Sequence, residues 1–171
     1  MFIIIGYLLG DFLSGLFHWW EDRYGKLEWP ILGKLIVQSN IEHHMYPTNT
    51  CKRTYWYRNG EAMIALLIPT IMFYHYEQYV LVVACITFSQ ANEIHAWAHM
   101  KKNPVIRFLQ SIGLCLSLRH HAIHHHQPYS EHYCVITDYL NPILSRLRFW
   151  RLLEKIVLFF GVPVNKERER Y

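Results

Sequence analysis

The sequence predicts an all-α chain, an integral membrane helical bundle with a histidine-rich metal site on its cytoplasmic face. Three observations predict it. Apolar residues gather in long, nearly uncharged runs. The 17 Lys and Arg avoid one end of the hairpins those runs imply. Most of the 12 His fall into clusters at helical spacing. A length of 171 residues fits a single domain over 1–171, with its motifs between 11 and 153. The net charge of +4, with 52% apolar and 18% charged residues, excludes a disordered tail, a collagen-like chain and a low-complexity linker. No nucleic-acid partner is expected. Cys51, Cys85, Cys115 and Cys134 lie too far apart for a C-x-x-C motif. A zinc ribbon and a redox pair are therefore disfavoured, and a reduced, cytosol-facing setting fits.

The first run, Met1–Phe17, carries one charge, Asp11, and predicts helix one over 2–20. The second, Ala62–Tyr74, has none and predicts a helix over 61–75, with Tyr74, His75 and Tyr76 as an interfacial belt. The third, Tyr79–Ala91, thins toward Trp97 and predicts a helix over 78–99. None is a clean span of about 20 apolar residues. Mean hydropathy is only +0.02, so a soluble helical protein with apolar core helices is the alternative. The charge map decides between them. The turn His75–Gln78 holds no Lys or Arg, and all 17 fall in 21–60 or 101–171. Those segments share one side, which the positive-inside rule makes cytoplasmic. The start of the chain shows neither the basic region nor the cleavage site of a signal peptide.

Segment 103–118 contains Arg107 and Gln110 and reads as buried or re-entrant. Over 143–160, Arg146, Arg148, Arg151 and Lys155 alternate with Leu, Phe and Trp, the pattern of an interfacial helix on an anionic leaflet. Asn165–Tyr171 is a solvated charge run. Trp19, Trp20, Trp97 and Trp150 read as interface anchors.

Nine of the 12 His fall in three clusters, His43–His44, His95 with His99, and His120, His121, His124, His125 and His126, while His18 ends the first apolar run. His95 and His99 stand one helical turn apart on one face, which Asn92 joins three residues earlier. His120 pairs with His124, and His121 with His125, in the same way. His18 and Asp22 are four apart. Asp22 and Asn92 are the candidate catalytic residues. Neutral imidazole suits iron and zinc, and one zinc needs only three or four ligands. The excess suggests two metals. In the predicted topology every cluster meets at one membrane face, where an imidazole-rich pair of irons is suited to activating O2 against an apolar chain. His75 and His132 read as hydrogen-bonded polar residues and His126 as a non-ligand. Asp11 either pairs within its helix or serves the site. Glu42 either orients an imidazole or is solvated.

Four stretches carry a resemblance: Asp11–Asp22 (DFLSGLFHWWED), Glu42–Pro47 (EHHMYP), Asn92–His99 (NEIHAWAH), and His120–Pro128 (HHAIHHHQP) followed by Tyr133–Thr137 and Leu140-Asn141. In this order they resemble the Kua/CarF lipid desaturase family. The resemblance implies an integral membrane di-iron enzyme that removes two hydrogens from a lipid chain. It implies O2 as co-substrate and a cytochrome b5- or ferredoxin-type electron donor. By that resemblance His18, His43, His44, His95, His99, His120, His121, His124 and His125 match the family's histidine positions as metal ligands, and Asp22 its acidic one. The bond formed is either the vinyl ether bond of a plasmanylethanolamine-type lipid or a fatty-acyl double bond. The implied location is the endoplasmic reticulum in a eukaryote or the inner membrane in a bacterium. Two features depart from the pattern. Relatives carry more apolar sequence ahead of Asp11. Broader membrane desaturases also place a His where this chain has Asn40, leaving His18 or Asp22 to fill that position. Three rivals remain: a lipid hydroxylase of the same di-iron type, a membrane zinc hydrolase using Asp22 or Glu42, and a bis-His haem or metal-binding membrane module.

Overall fold

The computed structural model describes residues 1–100 and 103–167. Lys101, Lys102 and residues 168–171 of the charged tail lie outside the described residues. The described chain is helical, without strands. Helix α1 runs Phe2–Tyr24. A π-helical turn, Gly33–Val37, leads into α2, Gln38–Met45, and α3 follows over Pro47–Lys52. Then come α4, Tyr55–His75, α5, Tyr79–Ser89, and α6, Ala91–Ala98. The remainder is α7, Pro104–Ser111, α8, Leu118–His124, α9, Leu140–Arg146, and α10, Phe149–Phe159.

Among the described residues one helix, α1, is long and apolar enough to cross a membrane. Helix α4 has 21 residues but opens with Arg58, Asn59 and Glu61. It starts six residues before the predicted helix because Thr54 caps it, its hydroxyl accepting from the Tyr57 N–H. The predicted helix over 78–99 is two helices, broken at Gln90. The Gln90 side chain engages Ser89 Oγ and the Tyr55 hydroxyl there. The predicted helix over 143–160 is also two, because Arg148 adopts a left-handed conformation at φ 52°. Segment 103–118 is only partly buried, with Ile106 inside but Val105 and Phe108 exposed. Trp19 and Trp150 are core residues, stacked at 6.3 Å between ring centres, rather than interface anchors. Outward faces carry apolar side chains: Ile64, Ile68 and Ile71 on α4, and Leu152, Ile156 and Phe159 on α10.

Helices α1 and α5 pack closely. A Cβ at Gly10 would lie 2.7 Å from the Cβ of Thr87, so only glycine permits this approach. The second brace is polar. Residues 133–137 lie outside any helix, and side chains satisfy much of their backbone. Asp11, fully buried on α1, accepts from the Ile136 N–H at 2.9 Å and the Thr137 hydroxyl at 2.6 Å. Ser14 Oγ accepts from Val135 N, and the Asn141 amide brackets Cys134 by donating to its carbonyl and accepting from its N–H. Asp11 is therefore a strut between α1 and the segment after α8, not a member of the histidine clusters. Asp11→Ala strands two buried donors and is expected to destabilise the fold by roughly 2–5 kcal/mol. Thermal unfolding in detergent measures it.

Candidate metal centre

Adjacent residues on a helix point about 100° apart, and the structure uses that to divide two His-His pairs between two groups. The first group is His43, His95, His99, His121 and His125. The second is His18, Asp22, His44 and His124. His43 and His44 of α2 thus separate, as do His124 and His125 at the end of α8. Three i, i+4 pairs stay together, His95 with His99, His121 with His125, and His18 with Asp22, whereas the expected pair His120 with His124 does not. The groups abut, with 5.0 Å between the ring centres of His44 and His125 and 5.4 Å between His18 and His95.

In the five-imidazole group the Nε2 atoms converge. His121 Nε2 lies 2.8 Å from that of His95 and 2.8 Å from that of His125, and His43 Nε2 is 3.1 Å from His125 Nε2. Nitrogens sharing a cation at about 2.1 Å stand about 3.0–3.4 Å apart, close to these spacings. The opposite ring edges are turned outward. His43 Nδ1 bonds with Thr50 Oγ1 at 3.2 Å, which leaves its Nε2 for the centre. His99 Nε2 is buried with no hydrogen-bond partner. Burial, then the neighbouring imidazoles, hold the pKa of His43 and His121 well below 6.5 and push His125 down to about 2. These rings are neutral near pH 7 and offer lone pairs rather than charge.

The second group is built around a carboxylate. Asp22 Oδ1 is 3.0 Å from His44 Nε2, and Oδ2 is 3.2 Å from His124 Nε2 and 3.5 Å from His18 Nε2. His124 Nδ1 donates to the Glu131 carbonyl at 3.0 Å, fixing its tautomer. His121 and His124 are fully buried. Tyr133 closes this side, its ring 5.2 Å from His124 and backed by Trp150 at 5.0 Å. Both groups therefore fit metal binding: buried nitrogens unpartnered or crowded together, with second ring nitrogens anchored to Thr50 and Glu131.

Of the eleven residues singled out from the sequence, the structure gathers nine. His120 stands apart, its Nε2 4.0 Å from Asp138 Oδ2 and its ring 5.7 Å from that of His132. Asn92 is exposed and donates to the Arg58 carbonyl at 2.8 Å. Glu42 is exposed and accepts from Gln38, the solvated alternative. Thr50 and the Glu131 carbonyl escaped the sequence reading. Thr50, seven residues after His43 and across a helix boundary, has no periodic signal, and a backbone carbonyl has none in any sequence.

The profile of the lipid desaturase domain matches residues 7–166. The chain is 33% identical to plasmanylethanolamine desaturase 1 of Mus musculus, over 91% of this chain and 63% of that protein. It is 32% identical to plasmanylethanolamine desaturase of Myxococcus xanthus, over 91% of this chain and 59% of that one. Identity to fatty acid desaturase 4-like 1, chloroplastic, of Arabidopsis thaliana is 34%, over 96% and 58%. The chain thus spans about 60% of the length of these relatives. No solved structure matches it.

Proposed function

The chain belongs to the lipid desaturase domain family, and from that premise we propose that it is a membrane-embedded di-iron oxidoreductase that introduces a double bond into a lipid chain. The observation that carries this reading is the pair of abutting ligand groups, eight imidazoles and one carboxylate. Two irons held there would supply O2 activation and the oxidising power to remove two hydrogens. Overall, one O2, two electrons from a cytochrome b5- or ferredoxin-type donor and two protons consume the two hydrogens and yield two waters. His43, His95, His99, His121 and His125 hold one metal through neutral nitrogens. His18, His44, His124 and Asp22 hold the other, with the carboxylate offsetting part of its charge. Thr50 and the Glu131 carbonyl orient rings, while Tyr133 and Trp150 keep water from one side.

The lipid is either a plasmanylethanolamine-type ether lipid or a fatty-acyl lipid, the classes named by the relatives above. Lipid mass spectrometry of a host expressing the chain, against the same host expressing His121→Ala, tests the function. A new unsaturated lipid only with the intact chain supports it. A hydroxylated lipid instead would make the chain a hydroxylase. The zinc hydrolase reading uses Asp22 or Glu42 as a water-activating base. Glu42 is solvated and Asp22 is ringed by three imidazoles, so the geometry favours the di-iron reading.

We place the metal groups on the cytoplasmic side, with α1, α4 and α5 in the bilayer and the 75–78 turn outside. The exposed apolar faces of α4 support this, and so does α10, whose Leu152, Ile156 and Phe159 adjoin Arg151 and Lys155 as on a helix lying on an anionic leaflet. Glu77→Cys is expected to react with an impermeant thiol reagent applied outside intact cells. Labelling only after the cytoplasm is opened would reverse this orientation.

A further inference from the structure

Three of the five imidazoles in the first group share a support that none of them touches. Glu93, on α6 two residues before His95, carries it. Its Oε2 accepts from Arg58 Nε at 2.8 Å and lies 2.6 Å from Arg58 Nη2. The same oxygen accepts from Asn59 Nδ2 at 3.3 Å, and Oε1 accepts from the Trp97 indole at 2.9 Å. Asn59 is fully buried, and its Oδ1 accepts from the Glu93 N–H at 3.1 Å. The first turns of α4 are thereby locked to α6, the helix that carries His95 and ends at His99.

Arg58 reaches in a second direction. Its Nη1 donates to the carbonyls of Arg53 and Thr50. Thr50 is the residue whose hydroxyl fixes His43 Nδ1. Cys51, next to it, donates to the Ala96 carbonyl of α6 at 3.4 Å. One guanidinium therefore ties the ring that α2 supplies to the two that α6 supplies. The Asp22 group draws on α1, α2, α8 and the Glu131 carbonyl, with no hydrogen bond to Arg58 or Glu93 among the described residues.

We propose that Arg58 and Glu93 are positioning residues that shape the five-imidazole group and leave the Asp22 group unaffected. The proposal rests on the metal-centre reading above. A planar guanidinium bonding a carboxylate and two carbonyls at once fixes distances that a single contact would leave loose. Displacing a ligand helix by a fraction of an ångström then lowers affinity at one metal position only.

The test is iron content and iron spectroscopy of the purified chain, with circular dichroism as the fold control. The unaltered chain is expected to hold two irons with the Mössbauer signature of a coupled pair. Arg58→Ala and Glu93→Ala are each expected to hold one, uncoupled, at unchanged helicity. The double variant is expected to lose no more than either single one. Glu93→Gln keeps the shape and is the milder probe. It is expected to release one iron to a chelator at least tenfold faster than the other. Two coupled irons in Arg58→Ala, or parallel loss of both irons from Glu93→Gln, would overturn the positioning role, since a merely structural contact moves both sites together. An unaltered chain that binds no iron would instead bring down the metal-centre reading itself, and the hub with it.

Discussion

His121→Ala is expected to remove the unsaturated lipid product, by at least about 100-fold at equal protein level, while His75→Ala leaves it at the original level. The asymmetry follows from position. His121 is fully buried, and its Nε2 stands 2.8 Å from two other imidazole nitrogens, so its loss opens the centre of the five-imidazole group. His124, equally buried, is expected to behave the same way through the second group. His75 ends α4, exposed, with its ring against Tyr76. The discriminating case is His120. The resemblance implies a ligand there, yet His120 faces Asp138 and His132 instead of either group. We expect His120→Ala to keep both metals and a substantial fraction of product. Product quantified by mass spectrometry across these variants decides the matter. A silent His121→Ala, or a dead His75→Ala at normal abundance, would refute the assignment of the centre.

The i, i+4 spacings made most of this centre legible in the sequence, because an imidazole pair one turn apart on a helix has little freedom in where it points. His95 with His99 and His121 with His125 needed no tertiary information to be paired. The division of His43 from His44 and of His124 from His125 did. His43 and His44 are neighbours in sequence, and only the placement of α1, α6 and α8 around α2 sends them to different groups. Asp11 shows the same limit. Its burial in an apolar run marked it as unusual, but its partners lie 125 and 126 residues away. The helix boundaries were missed where side chains override hydropathy: at Thr54, which starts α4 early, and at Gln90, whose side-chain contacts end α5 so that α6 can turn toward the site. Hydropathy alone reads 78–99 as continuous because residues on both sides of Gln90 are apolar.

Stripping the metals is expected to cost the fold as well as the activity. Without an ion, His99 Nε2 is buried with no hydrogen-bond partner, and the buried Nε2 atoms of His18 and His124 share the single oxygen Asp22 Oδ2 at 3.5 and 3.2 Å. A buried nitrogen left unpartnered costs about 1–3 kcal/mol relative to a satisfied one. The convergent Nε2 atoms of His95, His121 and His125 add lone-pair crowding that only a proton or a cation relieves. A ligand present at about a thousand times its Kd stabilises the state that binds it by about 4 kcal/mol per site. For a chain of this size that corresponds to roughly 8–16 °C in melting temperature. Chelator treatment in detergent should therefore lower the melting temperature by about 10 °C or more, and ferrous iron should restore it with two ions bound per chain. Asp22→Ala should cap the recovery at one ion, because the second group loses the carboxylate around which its three imidazoles are arranged. Restoration by a single zinc, with iron inert, would replace the di-iron centre by a zinc site.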